Sequence, residues 1–287
     1  MKIGLSTYSL NRTIREGEMD VLQAVEWIAA QGGEHVEIVP IDFELTEESD
    51  LADRIRETAK TLGLDISSYT VGANFIQETE EAYEAEVQRM LKEVDMGHRL
   101  GVSLMRHDAA SRPREESSIE NFEKDLAKVA NACRRIAEYA SRYGITTSVE
   151  NHGFHVQHSD RVQRLVQAVN RPNYKTTVDV GNFLCVDENP VAAVGKNMRL
   201  ASMVHLKDFY WRPGDREMGE GWFQTAGGNW LRGAIVGHGD IDMRAILREI
   251  KRSGYDGYLS VEFEGMEDCR LGSRLGLENA RRMWAEV

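Results

Sequence analysis

Short apolar runs alternate with amphipathic stretches along the whole chain. The runs are rich in β-branched residues and are bounded by glycine or polar residues, which is typical of buried strands. They predict strands over residues 2–9, 35–39, 64–71, 101–107, 146–150, 176–179, 202–205 and 258–263.

Between the strands, apolar residues recur at helical spacing, and the pattern often stops at a glycine, as at Gly63 and Gly144. This spacing predicts helices over about residues 20–31, 47–62, 78–100, 117–143, 160–169, 190–196, 241–252 and from 270 onward. Asp240 is expected to cap the helix that starts at residue 241.

Residues 210–239 interrupt this rhythm. They contain Trp211, Trp222 and Trp230 among many glycines, with neither a helical nor a strand period. Long glycine-containing loops suit lids that close over a substrate, and aromatic residues are also enriched in subunit contacts. The segment is therefore expected to be a lid or a subunit contact.

Strands that alternate with helices predict an α/β fold, here a single (β/α)8 TIM barrel domain over residues 1–287. The alternative is a doubly wound open sheet. The dinucleotide-binding form of that fold carries Gly-x-Gly-x-x-Gly after its first strand, where this chain has Asn11-Arg12-Thr13. The barrel is therefore favoured, and its active site is expected where the strands end.

The last four strands each end in a residue that can bind a metal ion: Glu150, Asp179, His205 and Glu262. An ionised carboxylate beside a strand core is costly unless it is paired or bound to a metal. These strand ends converge in a barrel, so we predict a divalent-cation site, with ion pairs to Lys or Arg as the alternative. Three carboxylates and one imidazole form a mostly oxygen donor set, which suits manganese, magnesium or cobalt, with zinc also possible.

Two basic residues follow these ligands closely. His152 would bind a substrate hydroxyl, orient Glu150 or satisfy a loop carbonyl. Lys207 shares the inward face of its strand with His205 and would bind a substrate oxygen. A salt bridge from Lys207 to Glu262 or Asp179 is the alternative.

Two earlier strands also end in polar residues. Of Arg106, His107 and Asp108, at the end of the fourth strand, His107 is expected to face the pocket and bind substrate. Glu37 ends the second strand in the inward phase. It is expected to partner an arginine within the barrel, or else to reach the substrate or a residue that supports the metal ligands.

The composition narrows the class of protein. A formal charge of −12 over 287 residues disfavours nucleic acid as a partner, because backbone binding relies on Lys and Arg. No apolar run approaches the ~20 residues of a membrane helix, and no secretory leader is predicted at the start. The three cysteines are far apart, which argues against a disulfide framework or a zinc knuckle. We expect a cytoplasmic protein that binds neither nucleic acid nor a membrane.

At its strand ends the chain resembles the sugar phosphate isomerase/epimerase group of xylose isomerase-like TIM barrels. The resemblance covers the chain in strand order and rests most on SVENHG (148–153), VDVGN (178–182), HLKD (205–208), GHGDID (237–242) and SVE (260–262). It implies one divalent metal ion, commonly manganese, bound by Glu150, Asp179, His205 and Glu262. It also implies that Glu150 and Glu262 are the acid–base pair of epimerase members, which form dimers or tetramers.

This chemistry is consistent with the residue types. A metal that chelates adjacent carbonyl and hydroxyl oxygens stabilises the enediolate formed when a proton leaves the carbon between them. Carboxylates on opposite faces would remove the proton from one side and return it from the other. The leading hypothesis is a metal-dependent isomerase or epimerase that acts on a ketose or a related carbonyl carbohydrate.

Two positions depart from the ketose epimerases of the group. Those enzymes place a substrate-binding histidine three residues after the ligand aspartate, where this chain has Asn182. They place an arginine six residues after the ligand histidine, where this chain has Trp211. Asn182 is therefore expected to contact substrate with different chemistry. The departures motivate the alternative of a lyase or dehydratase acting on a keto-sugar, inositol-like or glycoside-derived substrate.

Two further hypotheses are weaker. An endonuclease IV-like nuclease would need three zinc ions and extra ligands, for which His107, Glu37 and His152 are candidates. The acidic balance of the chain disfavours it. A barrel that has lost catalysis and serves as a binding subunit is disfavoured by the intact ligand set.

Overall fold

A closed barrel of parallel strands forms the centre of the molecule. The computed structural model describes residues 1–46 and 49–287. Its strands in chain order are β1 (Lys2–Ser6), β2 (His35–Ile38), β3 (Asp65–Val71), β4 (Leu104–His107), β5 (Thr146–Glu150), β6 (Tyr174–Asp179), β7 (Ala201–Leu206), β8 (Asp208–Arg212), β9 (Phe223–Gln224), β10 (Trp230–Ala234) and β11 (Tyr258–Val261). Strands β1 to β7 and β11 close the barrel, with β11 between β7 and β1. The predicted TIM barrel is confirmed.

Helices connect the strands and cover the outside of the barrel. They are α1 (Asn11–Arg15), α2 (Val21–Ala30), α3 (Leu51–Leu62), α4 (Glu80–Leu100), α5 (Ile119–Ala140), α6 (Ser159–Val169), α7 (Pro190–Asn197), α8 (Met243–Arg252) and α9 (Cys269–Glu286). Helix α5 buries Val129, Cys133 and Ile136, the stripe that its apolar spacing predicts. At the start of α4, the Thr79 side chain accepts a hydrogen bond from the N–H of Ala82.

Two helix starts differ from the prediction. Helix α8 is capped by Asp242, whose carboxylate accepts from the N–H of Ala245 at 2.9 Å. The predicted cap, Asp240, instead accepts from the N–H of Trp211 at 2.7 Å. Helix α3 begins at Leu51; its predicted start at residue 47 lies outside the described residues.

Residues 210–239 contain strands that the sequence pattern did not predict. Strand β10 pairs antiparallel with both β8 and β9, and Trp230 lies opposite Arg212. The guanidinium of Arg232 lies 4.8 Å from the centre of the Tyr210 ring and 5.4 Å from that of Trp222. The aromatic residues therefore stabilise a small sheet through cation–π contacts. These strands are too short to show an alternating pattern of apolar residues, so the sequence carries no signal for them.

The register of the barrel brings four strand ends to one level. Asp179 pairs with His205, and His205 pairs with Ser260, two residues before Glu262. Glu150 pairs with Thr177, two residues before Asp179. Because side chains two residues apart in a strand point the same way, all four candidate ligands point inward. Among the described helices, none combines the length and apolar character that crossing a membrane requires.

Candidate active site

Glu150, Asp179, His205 and Glu262 come together at the carboxyl ends of the barrel strands. Each offers one ligand atom, and these atoms all lie within 4.8 Å of one another. All four residues are buried. The structure thus contains a buried group of four residues able to bind a divalent metal ion, the group that the sequence predicts.

Glu37 contacts the His205 imidazole on the side away from the other candidate ligands. Its Nε2 lies 3.0 Å from the Glu37 carboxylate, which also accepts from the Thr70 hydroxyl at 2.6 Å. Its Nδ1 faces Glu150 Oε1 at 3.4 Å and Glu262 Oε2 at 3.7 Å. The expectation that Glu37 partners an arginine was therefore wrong. Strand β7, which is not adjacent to β2 in the barrel, brings a histidine rather than an arginine within its reach.

The unsatisfied atoms at this site fit a metal ion. His205 Nδ1 and Asp179 Oδ2 are buried without a well-aligned hydrogen bond to any described residue, and Oδ2 has an ion-pair contact with Lys207 at 3.2 Å, although buried polar atoms are nearly always satisfied. They lie 3.9 Å apart. An imidazole nitrogen and carboxylate oxygens that face one point form a donor set for a hard or intermediate divalent cation.

Asp179 is oriented by the backbone that follows it. Its Oδ1 accepts from the N–H groups of Gly181 at 2.8 Å and Asn182 at 2.9 Å. Asn151 brackets its main chain, accepting from the N–H and donating to the carbonyl. These bonds leave Oδ2 for the ligand group. Sequence reasoning missed Asn151, although its place directly after Glu150 was a signal.

Lys207 is buried against the same carboxylates. Its Nζ lies 2.7 Å from Glu262 Oε2, 3.2 Å from Asp179 Oδ2 and 3.3 Å from Glu264 Oε2. Burial opposes its charge, but Asp179, Glu262 and Glu264 raise the pKa of Lys207 well above its ordinary value. Both of its predicted contacts, with Asp179 and with Glu262, are present. Lys207 also lines the cavity described below.

Arg106 brings positive charge to the opposite side of the ligand group. Its Nη2 lies 2.5 Å from Glu150 Oε2 and 2.8 Å from Asp108 Oδ1. Burial works against the ionisation of Glu150, but Arg106 and then His205 hold the pKa of Glu150 well below its ordinary value. Burial raises the pKa of Asp179 to about 7, although Lys207 opposes this.

His107 does not occupy the position predicted for it. The side chain is fully buried; its ring packs against Phe75 and Tyr174, and its Nδ1 lies 2.7 Å from the Asp108 carbonyl. Alternation along β4 turns Arg106 into the barrel and His107 outward. Arg106 and Asp108 therefore line the cavity in its place.

His152 and Asn182, two predicted substrate-binding residues, differ in their exposure. The His152 side chain is half exposed, and its Nδ1 lies 3.3 Å from Asp108 Oδ1. Partial burial lowers its pKa, but Asp108 outweighs this and raises the pKa of His152. Asn182 is buried, donates to Glu150 Oε1 at 3.1 Å and accepts from Lys207. It supports two side chains that line the cavity and is not part of the lining.

A cavity of about 660 Å³ opens over this group. Its polar wall is lined by Tyr8, Arg106, Asp108, Glu150, His152, Lys207, Glu262 and Glu264. Across the described residues, the cavity lining includes no member of the segment 210–239. The expectation of a lid over the substrate therefore has no support in this conformation.

The segment after β7 instead supports the walls of the site. The Asp208 carboxylate accepts from the N–H groups of Gly237 and Gly239, each at 2.9 Å. A Cβ on Gly239 would lie 2.2 Å from Asp208 Oδ1, so glycine is required for this approach. The HLKD segment thus binds the GHGDID segment directly, through these hydrogen bonds to Asp208.

Residues 25–286 match the family model of the xylose isomerase-like TIM barrel. The chain belongs to this family. The predicted family and its TIM barrel fold are thereby confirmed, and the barrel described above is the family's barrel.

The proteins similar to this chain include dehydratases and an epimerase. Inosose dehydratase from Lacticaseibacillus casei is 25% identical to this chain over 138 residues, 48% of this chain and 46% of the relative. The matched part thus spans about half the length of that relative.

Two solved structures superpose closely on the xylose isomerase-like barrel. A probable 3-DHS dehydratase from Bacillus anthracis has a TM-score of 0.75 at 16% identity, covering 98% of this chain and 100% of the other. D-psicose 3-epimerase from Clostridium cellulolyticum H10 has a TM-score of 0.75 at 15% identity, covering 99% of each chain. At these identities the superpositions establish a shared fold, and the reaction has to be argued from the site.

Proposed function

We propose that this protein is a divalent-metal-dependent lyase that removes water from a keto-polyol, with an inosose-like ring as the model substrate. The observation that carries the proposal is that the four candidate ligands lie together and that two of them, Glu150 and Glu262, line one cavity with Lys207 and His152. The relatives named inosose dehydratase support dehydration over the epimerisation that the sequence first favoured.

The two candidate acid–base carboxylates have different surroundings. Both oxygens of Glu150 are engaged, Oε2 by Arg106 at 2.5 Å and Oε1 by Asn182 at 3.1 Å. Glu262 lines the cavity as Glu150 does, but its contacts with Lys207 at 2.7 Å and His205 at 3.7 Å both involve Oε2. Glu262 is therefore the better base for a proton on the carbon next to the substrate carbonyl, and Glu150 serves as a ligand.

The elimination uses residues on both walls. A bound divalent cation would supply charge stabilisation at the substrate carbonyl oxygen. Glu262 removes the proton from the carbon beside that carbonyl, and Lys207 binds a substrate oxygen nearby. The electrons of the broken C–H bond form a C=C bond as the C–O bond at the β-carbon breaks. His152, supported by Asp108, protonates the departing oxygen, and the products are water and an unsaturated ketone.

Product analysis in heavy water tests this proposal. The manganese-loaded protein is incubated with 2-keto-myo-inositol, and products are followed by mass spectrometry and by the ultraviolet absorbance of an unsaturated ketone. Dehydration gives a product lighter by one water, with that absorbance. If the substrate showed no water loss and no deuterium exchange at the carbon beside the carbonyl, the assignment would be overturned.

A His152→Gln variant separates the two proton transfers. It should retain deuterium exchange, which needs only Glu262 as base, and should release water about 10²-fold or more slowly. Equal slowing of both steps would contradict the assignment of His152 as the acid for the leaving group.

Epimerisation through the same site is the second candidate. Glu150 and Glu262 both line the cavity, and the D-psicose 3-epimerase superposes over nearly the whole barrel. In the same experiment, an epimer that carries deuterium and retains all its hydroxyl groups would favour this reaction.

A further inference from the structure

The cavity is larger than the proposed ring requires. A keto-inositol has about twelve non-hydrogen atoms, which at roughly 30 Å³ each, the share of a water molecule in the liquid, would fill about 360 Å³. The cavity measures about 660 Å³. Even with this generous allowance, roughly 300 Å³ remain beside the ring.

The chain after β2 lines the cavity with apolar side chains. Ile41, Phe43 and Leu45 line it and are half-buried, whereas the alternate residues Asp42 and Glu44 are exposed. Glu44 also lines the cavity, and a φ of 63° at Asp42 bends the segment, so this wall is mainly rather than wholly apolar. A soluble protein exposes such a wall to a cavity at some cost, and apolar walls of this kind are typical of ligand sites.

Helix α4 contributes polar side chains to the same cavity. Arg89 and Glu93 both line it, and they form an ion pair at 3.4 Å. Arg89 also donates to the carbonyl of Gly72 at 2.7 Å, and the Tyr69 hydroxyl donates to Glu93 at 2.6 Å. These bonds fix both side chains, so this polar lining is preorganised together with the apolar segment.

We propose that this part of the cavity is a subsite for a second ring, so that the preferred substrates are keto-polyols carrying a ring substituent. A ring with an apolar face and a polar edge, either a sugar or an aromatic group, has the chemistry that matches the Ile41–Phe43–Leu45 wall and the Arg89–Glu93 pair. The proposal rests on the proposed function, since the catalytic group determines where the first ring lies.

The first test compares substrates that differ only in the substituent. The probes are 2-keto-myo-inositol and its O-methyl, O-benzyl and O-glucosyl derivatives, substituted at a hydroxyl remote from the carbonyl. We expect kcat/KM for the O-benzyl or O-glucosyl derivative to exceed that of the bare ring by about 10-fold or more, with O-methyl between. The better of the two larger derivatives identifies an aromatic or a sugar occupant. Equal or lower kcat/KM for both of them would overturn the subsite.

The second test changes the wall. Phe43→Ala should reduce the ratio of kcat/KM for the preferred substituted probe to that for the bare ring about 5-fold or more. Phe223→Ala, the same truncation at an exposed position on β9 outside the cavity, should leave that ratio unchanged. An unchanged ratio in Phe43→Ala would contradict the proposal.

A binding measurement keeps the two proposals distinguishable. Calorimetric titration with O-benzyl and unsubstituted myo-inositol, which lack the reactive carbonyl, should give tighter binding of the O-benzyl compound and a smaller preference in Phe43→Ala. If no probe reacts but this preference holds, the proposed reaction fails and the subsite stands. If the bare ring reacts and no preference exists, the reaction stands and the subsite fails.

Discussion

Glu37 and His205 are separated by 168 residues in the chain. Both side chains are fully buried, and the Glu37 carboxylate lies 3.0 Å from His205 Nε2. The Glu37 carboxylate accepts a hydrogen bond from Nε2–H, which leaves Nδ1, facing the other candidate ligands, as the nitrogen that can bind a metal ion. A residue of β2 thus orients a candidate metal ligand on β7. Carboxylate–histidine pairs of this kind raise the basicity of the ligand nitrogen.

Replacing Glu37 by Gln should weaken metal binding while preserving the shape of the barrel. A neutral amide oxygen is a weaker hydrogen-bond acceptor than a carboxylate, so we expect the dissociation constant for manganese to rise about 10–100-fold. Calorimetric titration of the metal-free protein measures this. Glu57→Gln, on the exposed side of α3, is the matched control. An unchanged affinity in Glu37→Gln would show that the pair has no role in metal binding.

Metal binding should also raise the thermal stability of the protein. Three carboxylates converge at the site, and a cation that binds only the folded state stabilises it by about 2.7 kcal/mol at a hundred times its dissociation constant. The melting temperature should therefore rise by several degrees between a chelator and excess manganese. Differential scanning calorimetry checks this, with Asp179→Asn as the control that should lose the shift. A wild-type melting temperature independent of metal would count against the site.

Glu262 and Glu264 provide a test of the catalytic base. Both carboxylates contact Lys207, but only Glu262 belongs to the ligand group. Glu262→Gln should lower kcat by about 10²–10⁴-fold with the fold intact by circular dichroism. Glu264→Gln should cause a clearly smaller loss. Retained turnover in Glu262→Gln, or equal losses in the two variants, would remove Glu262 from its assigned role.

Much of the site followed from the sequence because its signals are local. Each of Glu150, Asp179, His205 and Glu262 ends an apolar run, and the geometry of a parallel barrel brings such ends together. Repeated alternation of strands and helices was enough to predict the fold, because each unit carries its own period.

The failures were of a different kind. Whether Arg106 or His107 faces inward depends on the phase of a short strand, Leu104–His107, and a shift of one residue reverses it. The partner of Glu37 depends on which side chain the barrel closure brings opposite it. The pairing of β8 with β10 joins segments with no strand period of their own. Contacts of this long-range kind are set by tertiary packing.

At Gly233 on β10, the small sheet contacts the chain that follows β11, which forms part of the wall of the proposed active site. A Cβ added there would lie 2.5 Å from the carbonyl oxygen of Glu264 and 2.7 Å from its carbonyl carbon. Backbone atoms cannot yield as a flexible side chain can. Alanine at this position must therefore displace the chain that carries Glu264 and, two residues earlier, Glu262.

We expect Gly233→Ala to destabilise the fold by about 1–3 kcal/mol and to reduce kcat/KM, because the displaced chain includes Glu262, the proposed catalytic base. Gly219→Ala is the matched control, since a Cβ at Gly219 would meet no atom within 4 Å. Melting temperature and turnover of the two variants, measured together, test this contact. If Gly233→Ala were as stable and active as Gly219→Ala, the small sheet would not position the wall of the site. A loss of activity larger than the loss of stability can explain would instead indicate that β10 holds Glu262 in its reactive position.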